Sequence, residues 1–145
     1  MALIADHFII EELVCKDVCD KFKERAWQFF DPRLIQTIDW IRERLNKPIY
    51  VNNWDNGGKY DERGLRCIQC SLVKDAIAQG RLYVSPHMLG QAVDFDVMGM
   101  VAEEVRQWLI KNKTSLPYPI RLEKDTAWVH LDVQDAGQKV YLFNP

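Results

Sequence analysis

The stretch Ser85-Pro86-His87-Met88-Leu89-Gly90-Gln91-Ala92-Val93-Asp94-Phe95-Asp96-Val97 decides how this chain folds. From Gln91 onward, Val93, Phe95 and Val97 alternate with Ala92, Asp94 and Asp96. A period of two marks a strand with one buried face. His87 precedes it in a Ser-Pro-His turn, and Gly90 lets the chain bend back so that His87 and Asp94 converge. The same alternation recurs over Ala127 to Val133, where Val129, Leu131 and Val133 alternate with Trp128, His130 and Asp132. Asp94 and His130 therefore occupy the face of each strand that does not enter the core. The chain has three histidines, and two of them fall in these segments. Two imidazoles and a carboxylate suit a zinc ion whose fourth position stays open to water. His87, Asp94 and His130 are the expected ligands of one zinc ion. Spacing alone also suits a surface histidine and a solvated carboxylate, because three scattered ligands form a weak pattern.

The surrounding chain supplies helices before these strands. Asp17 to Phe30 has helical composition. Asp31-Pro32 is an N-cap followed by proline at the first helical position. The helix it opens runs to about Asn46, with Leu34, Ile35, Ile38, Ile41 and Leu45 on its apolar face. Pro48 to Asn53 is a strand candidate. Trp54 to Gly64, with Asn56-Gly57-Gly58, is a loop expected at the mouth of the site. Ile68 to Gln79 is helical and Gly80 stops it. Val101 to Asn112 is a further helix that buries Val105, Trp108 and Leu109. Strands are expected near 118–123, 127–133 and 138–143. Helices come mainly first and strands mainly last, so the expected class is α+β: one domain over 1–145, an antiparallel sheet backed by helices.

Composition bounds the function. The chain has 145 residues, 48% of them apolar and five of them Trp, enough to bury a core without staples. The net charge is −2 and the pI is near 5.9. A nucleic-acid binder would show a basic stripe instead. No apolar run is long enough to span a membrane. Met1-Ala2-Leu3-Ile4-Ala5-Asp6 lacks the basic region and apolar core of a secretory signal, so the chain as given is expected in the cytoplasm.

Ser85-x-His87-x-x-Gly90-x-Ala92-x-Asp94, followed by Trp128-Val129-His130, resembles the zinc D-Ala-D-Ala carboxypeptidase superfamily. That group includes the vancomycin-resistance dipeptidases, the phage L-alanyl-D-glutamate endopeptidases and the Hedgehog signalling domain. The first motif matches at all five fixed positions. Phe8-Ile9-Ile10-Glu11-Glu12-Leu13 is similar to the Phe-x-x-x-Glu-Leu opening of the phage-type members. Gly64-Leu65-Arg66-Cys67 is similar to their Ser-Gly-Tyr-Arg segment, with Gly64 and Arg66 kept and the Ser and Tyr replaced. The similarity runs from near residue 8 to about residue 133. It implies a Hedgehog/DD-peptidase-like fold, His87, Asp94 and His130 as zinc ligands, and Arg66 placed to hold substrate or the oxyanion. It further implies that Ser85 holds the His87 turn or hydrogen-bonds substrate. The implied substrate is a peptidoglycan stem peptide with D-residues, cleaved by a carboxypeptidase, an endopeptidase or a dipeptidase. An enzyme of the cell wall that lacks a signal would be a phage-type lysin released by other means, or would act on muropeptides inside the cell.

The chain departs from the superfamily at one position. These peptidases usually carry a Glu three residues before the last ligand, as general base; here that residue is Ala127. The chain is then a member that lost activity, one whose base was removed by substitution, or a branch that takes its base from elsewhere; a zinc-binding module without catalysis also stays open. Glu123 is the nearest carboxylate. A hairpin around Lys124-Asp125-Thr126 would set Glu123 opposite Ala127. Against that role stands the ordinary one of an exposed charge at a hairpin end. Asp96 and Asp132 share the site face and are expected to orient the ligands. The four cysteines, Cys15, Cys19, Cys67 and Cys70, have spacings that raise a structural zinc site. Free thiols of a reducing compartment are the favoured reading, because neither pair shows the turn chemistry of a zinc knuckle.

Overall fold

The computed structural model describes residues 2–145; Met1, the first residue of the stretch read for a signal, lies outside them. The helices are α1 (Ile10–Leu13), α2 (Lys16–Phe22), α3 (Pro32–Leu45), α4 (Ser71–Ala78) and α5 (Ala102–Lys111). The strands are β1 (Ile49–Tyr50), β2 (Ala92–Val97), β3 (Ile120–Glu123), β4 (Val129–Asp132) and β5 (Val140–Phe143). They form one sheet in the order β1-β2-β4-β3-β5. The class is α+β.

Two expectations about elements are corrected. The sheet is not wholly antiparallel: β5 runs parallel to β3, pairing Ile120 with Val140 and Glu123 with Phe143. The chain after Asp132 crosses back before it re-enters the sheet, so β5 joins the outer edge of β3 instead of folding back on β4. The helix expected over Asp17 to Phe30 breaks at Lys23, whose φ of +48° lies in the left-handed region, and continues as a 3-10 turn over Lys23–Phe29. Shorter differences follow from fraying ends: Pro48 to Asn53 keeps only two strand residues, and Ile68 to Gln79 is helical only over α4.

The long helix forms as its sequence dictates. The Asp31 carboxylate accepts the Arg33 N–H at 2.9 Å, Pro32 occupies the first turn, and Asn46 ends the helix in a left-handed conformation. Leu34, Ile35, Ile38 and Ile41 are each at most 2% exposed. They belong to the same core as Val93, Phe95 and Val97 of β2 and Val129 and Leu131 of β4. Burying each such side chain stabilises the fold by about 1.5–3 kcal/mol. The apolar residues of β2 and β4 face this core, and their opposite face carries the polar Asp94, His130 and Asp132, which are also buried.

Gly90 makes the step from the His87 turn into β2. Its φ is +67°, and a Cβ there would lie 2.0 Å from the Phe29 carbonyl oxygen. Conformation and close approach both require glycine. Leu13 carries a similar seam on the other side of the site. The Leu65 N–H donates to the Leu13 carbonyl at 2.8 Å, Val14 bridges to Leu65, and a Cβ on Gly64 would sit 2.1 Å from that carbonyl oxygen.

Candidate metal centre

The register of β2 against β4 pairs Asp94 with His130. His130 Nδ1 lies 2.8 Å from Asp94 Oδ1, and His87 Nε2 lies 3.3 Å from the same oxygen. The three side chains are buried, at 3%, 7% and 7% exposure for His87, Asp94 and His130. The structure thus brings together the three residues expected from the motif.

Each histidine is oriented from behind. His87 Nδ1 lies 2.9 Å from the Gly64 carbonyl, so as a donor it leaves Nε2 free to point at Asp94. His130 Nε2 lies 3.0 Å from Asp132 Oδ2, and Asp132 is held in turn by Arg121 Nε and a terminal nitrogen at 2.7 and 2.9 Å. Metal-bound histidines ordinarily donate their other nitrogen to such a carbonyl or carboxylate, which fixes the ring and raises ligand basicity. Asp132 has the orienting role expected of it. Asp96 does not: its carboxylate pairs with Arg63 at 2.9 Å, because the outer end of β2 carries it away from both imidazoles.

The donor atoms of His87, Asp94 and His130 lie within 4.8 Å of one another and could hold a metal ion. Bonds of about 2.0–2.2 Å in tetrahedral geometry place neighbouring N and O donors roughly 3.3–3.5 Å apart. The His87–Asp94 separation of 3.3 Å already meets this. The shorter His130–Asp94 contact is a direct hydrogen bond.

Arg66 borders the centre with each of its three guanidinium nitrogens making one hydrogen bond, which uses three of its five N–H donors. Nε donates to the Glu62 carbonyl at 2.6 Å, one terminal nitrogen to the Tyr83 hydroxyl at 2.8 Å, and the other to Asp94 Oδ2 at 3.2 Å. It anchors the ligand carboxylate as well as facing the cavities. Two cavities, of about 470 and 260 Å3, adjoin it, and Arg66, Asp94 and Trp128 line both. The larger is bordered by Lys59 to Arg63, so the Trp54 to Gly64 loop does reach the mouth of the site. The smaller takes in Ser85, both histidines and Glu123. Ser85 Oγ is the one buried side-chain nitrogen or oxygen without a partner among the described residues. Its hydroxyl does not hold the His87 turn; the Ser85 carbonyl does so, accepting the Met88 N–H at 3.0 Å.

Glu123 is not opposite Ala127. The β3–β4 register pairs Arg121 with Asp132 and Leu122 with Leu131, so the next step sets Glu123 beside His130. The connection is longer than a three-residue turn. The Lys124 N–H donates to Phe143 of β5 at 2.8 Å, and buried Arg106 holds the Thr126 and Trp128 carbonyls at 3.1 and 3.2 Å. These bonds pull residues 124–128 out of the hairpin. Glu123 lines the smaller cavity, while Ala127 opens on the larger one.

Without a metal, the surroundings of His130 favour its protonated form. Burial disfavours its charged form, but the bonds to Asp132 and Asp94 outweigh that and raise its pKa to about 9. Burial would likewise raise Asp94, but His130 and His87 hold its carboxyl well below the usual range. A raised histidine pKa contributes stability that is complete below the unfolded value, 6.5, and is lost as pH rises through about 9. The depressed Asp94 contributes stability that is present above 3.8 and lost at lower pH. Metal-free protein is expected to lose on the order of 3 kcal/mol between pH 6.5 and 9 through His130. Denaturant unfolding under chelator checks this. The slope should vanish in His130→Gln, and an unchanged slope would place the charge elsewhere.

No protein-family model matches the chain, and neither the curated proteins nor the solved structures hold a significant match. No helix of the described residues is long and apolar enough to cross a membrane. Sequence reasoning missed Arg121 and Tyr83, which hold Asp132 and Arg66. Alternation puts Arg121 on one face of β3, but only the register shows that Asp132 is its neighbour.

Proposed function

We propose that this chain is a zinc-dependent peptidase, related to the phage-type branch of the D-Ala-D-Ala carboxypeptidase superfamily, that hydrolyses bonds involving D-residues in peptidoglycan stem peptides. One observation carries the reading: a buried His87, Asp94 and His130 triad, with each imidazole anchored from behind, opening on two cavities. The five-point motif around His87 supports the superfamily. His87, Asp94 and His130 would hold the metal. A bound zinc ion lowers the pKa of water and polarises a carbonyl at neutral pH.

The chain's own residues supply the rest. Arg66 fixes Asp94 and presents its guanidinium to both cavities, where a substrate carboxylate or a developing oxyanion would lie. Ser85 Oγ, buried and unpartnered, is available to a substrate amide or carboxylate. Glu123 accepts the proton of the attacking water at its carboxylate and returns it to the leaving nitrogen. It borders the smaller cavity, and no ion pair or hydrogen bond ties its side chain to another described residue. The exposed Trp128 stands between the cavities and offers an apolar surface to a peptide.

The test is incubation of zinc-loaded protein with muropeptides and a panel of D-residue peptides, with products identified by mass spectrometry. Cleavage that is lost on chelation and restored by zinc is expected. Ala127 favours a second reading, a zinc-binding module that captures wall peptides or a protein partner without turnover. Absence of cleavage by the wild type together with measurable muropeptide binding would establish that reading instead.

Arg66→Lys discriminates within the first reading. Lysine cannot reproduce the planar fork that spans Glu62, Tyr83 and Asp94. The variant is expected to retain zinc and to lose about 10–100-fold in kcat/KM, roughly 1.4–2.7 kcal/mol of transition-state stabilisation. Unchanged kinetics would remove Arg66 from the site.

A further inference from the structure

Cys15, Cys67 and Cys70 come from two distant stretches of sequence, and their sulfurs lie within 4.8 Å of one another. The seam between Leu13-Val14 and Gly64-Leu65 brings them together. It runs one chain alongside the other in parallel, so Cys15 follows Val14 just as Arg66 and Cys67 follow Leu65. Cys15 Sγ and Cys67 Sγ are 3.6 Å apart. Cys67 to Cys70 closes a turn in which the Cys70 N–H donates to the Cys67 carbonyl at 3.1 Å. Within it the Gln69 N–H points at Cys67 Sγ at 3.3 Å, and the Cys67 N–H at Cys70 Sγ at 3.4 Å. Cys19, one helical turn beyond Cys15, stands outside the group. The pairing expected from spacing, Cys15 with Cys19, is therefore replaced by Cys15 with the Cys67–Cys70 turn. That turn has the N–H to sulfur chemistry the bare spacing did not reveal.

We propose that Cys15, Cys67 and Cys70 are the three thiolate ligands of a second zinc site, whose fourth position would be taken by water. Zn–S bonds of about 2.3 Å at the tetrahedral angle place sulfurs roughly 3.8 Å apart. The observed 3.6 Å between Cys15 and Cys67 is close to that spacing. Backbone N–H groups aimed at two of the sulfurs stabilise thiolate charge, which zinc ligation requires. Two of the three cysteines are buried, at 2% and 5% exposure, so a bound ion would be largely shielded from solvent. Binding releases the thiol protons, and no electrons are exchanged.

The site has a mechanical consequence. The segment it clamps carries the Gly64 carbonyl, which orients His87, and Arg66, which holds Asp94. The cysteine centre cross-braces the N-terminal segment to the loop that shapes the first centre. Zinc bound by the cysteines limits the freedom of Gly64 and Arg66 without touching substrate.

Cobalt substitution tests the proposal on the intact chain. Thiolate–cobalt(II) charge-transfer absorption in the near ultraviolet arises only from cysteine ligands, whereas His87, Asp94 and His130 supply none. Wild type loaded with cobalt is expected to show that absorption, and Cys67→Ser and Cys70→Ser to lose it. Cys19→Ala and His87→Ala should retain it. Zinc content should fall from two ions to one per chain in Cys67→Ser. Absence of the absorption in cobalt-loaded wild type would overturn the proposal whether or not the variants fold. So would a Cys15–Cys67 disulfide in protein purified anaerobically with zinc. Neither result bears on the histidine centre, which is read by its own zinc.

Discussion

Glu123→Gln is expected to lower peptide hydrolysis by about 10²–10⁴-fold while zinc content stays unchanged. The substitution keeps the shape of the side chain and removes only its ability to take a proton. Glu123 stands beside His130 by register and shares the smaller cavity with His87, Asp94 and Ser85. A structural role would leave the rate near wild type, because Glu123 is partly exposed at a strand end. Ala127→Glu supplies the contrast. Ala127 lines a cavity of about 470 Å3, so a longer side chain has room there. Should the wild type be inactive and Ala127→Glu gain activity, the base is missing from this chain and Glu123 does not replace it. Should both variants and the wild type fail on every D-residue peptide, the binding-module reading stands.

His87→Ala is expected to empty the histidine centre and reduce hydrolysis to background. Zinc content should fall from two ions to one per chain, the remaining ion being the cysteine-bound one. Removing one of three protein ligands from a catalytic site leaves too few donors to compete with water. The structural cost is smaller. The His87 side chain bonds the Gly64 carbonyl and lies 3.3 Å from Asp94 Oδ1, and losing the partner of a buried polar group costs about 1–3 kcal/mol. Equilibrium unfolding of the chelated proteins separates that cost from the loss of metal. Unchanged zinc content in His87→Ala would remove His87 from the ligand set.

The ligands were legible because two independent patterns coincide on them. Alternation set Asp94 and His130 on the faces of β2 and β4 opposite the core, and Gly90 marked the bend that returns His87 to Asp94. Asp132 followed from the same alternation. What alternation does not carry is register. The Lys124-Asp125-Thr126 connection looked like a tight hairpin, yet Arg106 on α5 and Phe143 on β5 draw that loop outward, and Glu123 moves from Ala127 to His130. The residues responsible are about 20 positions away on either side. The parallel pairing of β5 was hidden for a related reason: a strand pattern gives the buried face but not the direction of its neighbour. The cysteine cluster was hidden most deeply. Cys15 and Cys67 are 52 residues apart, and only the Leu13–Leu65 seam makes them neighbours.

Zinc-edge anomalous diffraction from crystals of the zinc-loaded protein tests the central claim most directly. A peak bonded to His87 Nε2, an Asp94 carboxylate oxygen and His130 Nδ1, at about 2.0–2.2 Å from each, is the predicted result. An anomalous map with no peak among these three side chains, in protein shown by analysis to carry zinc, would contradict it.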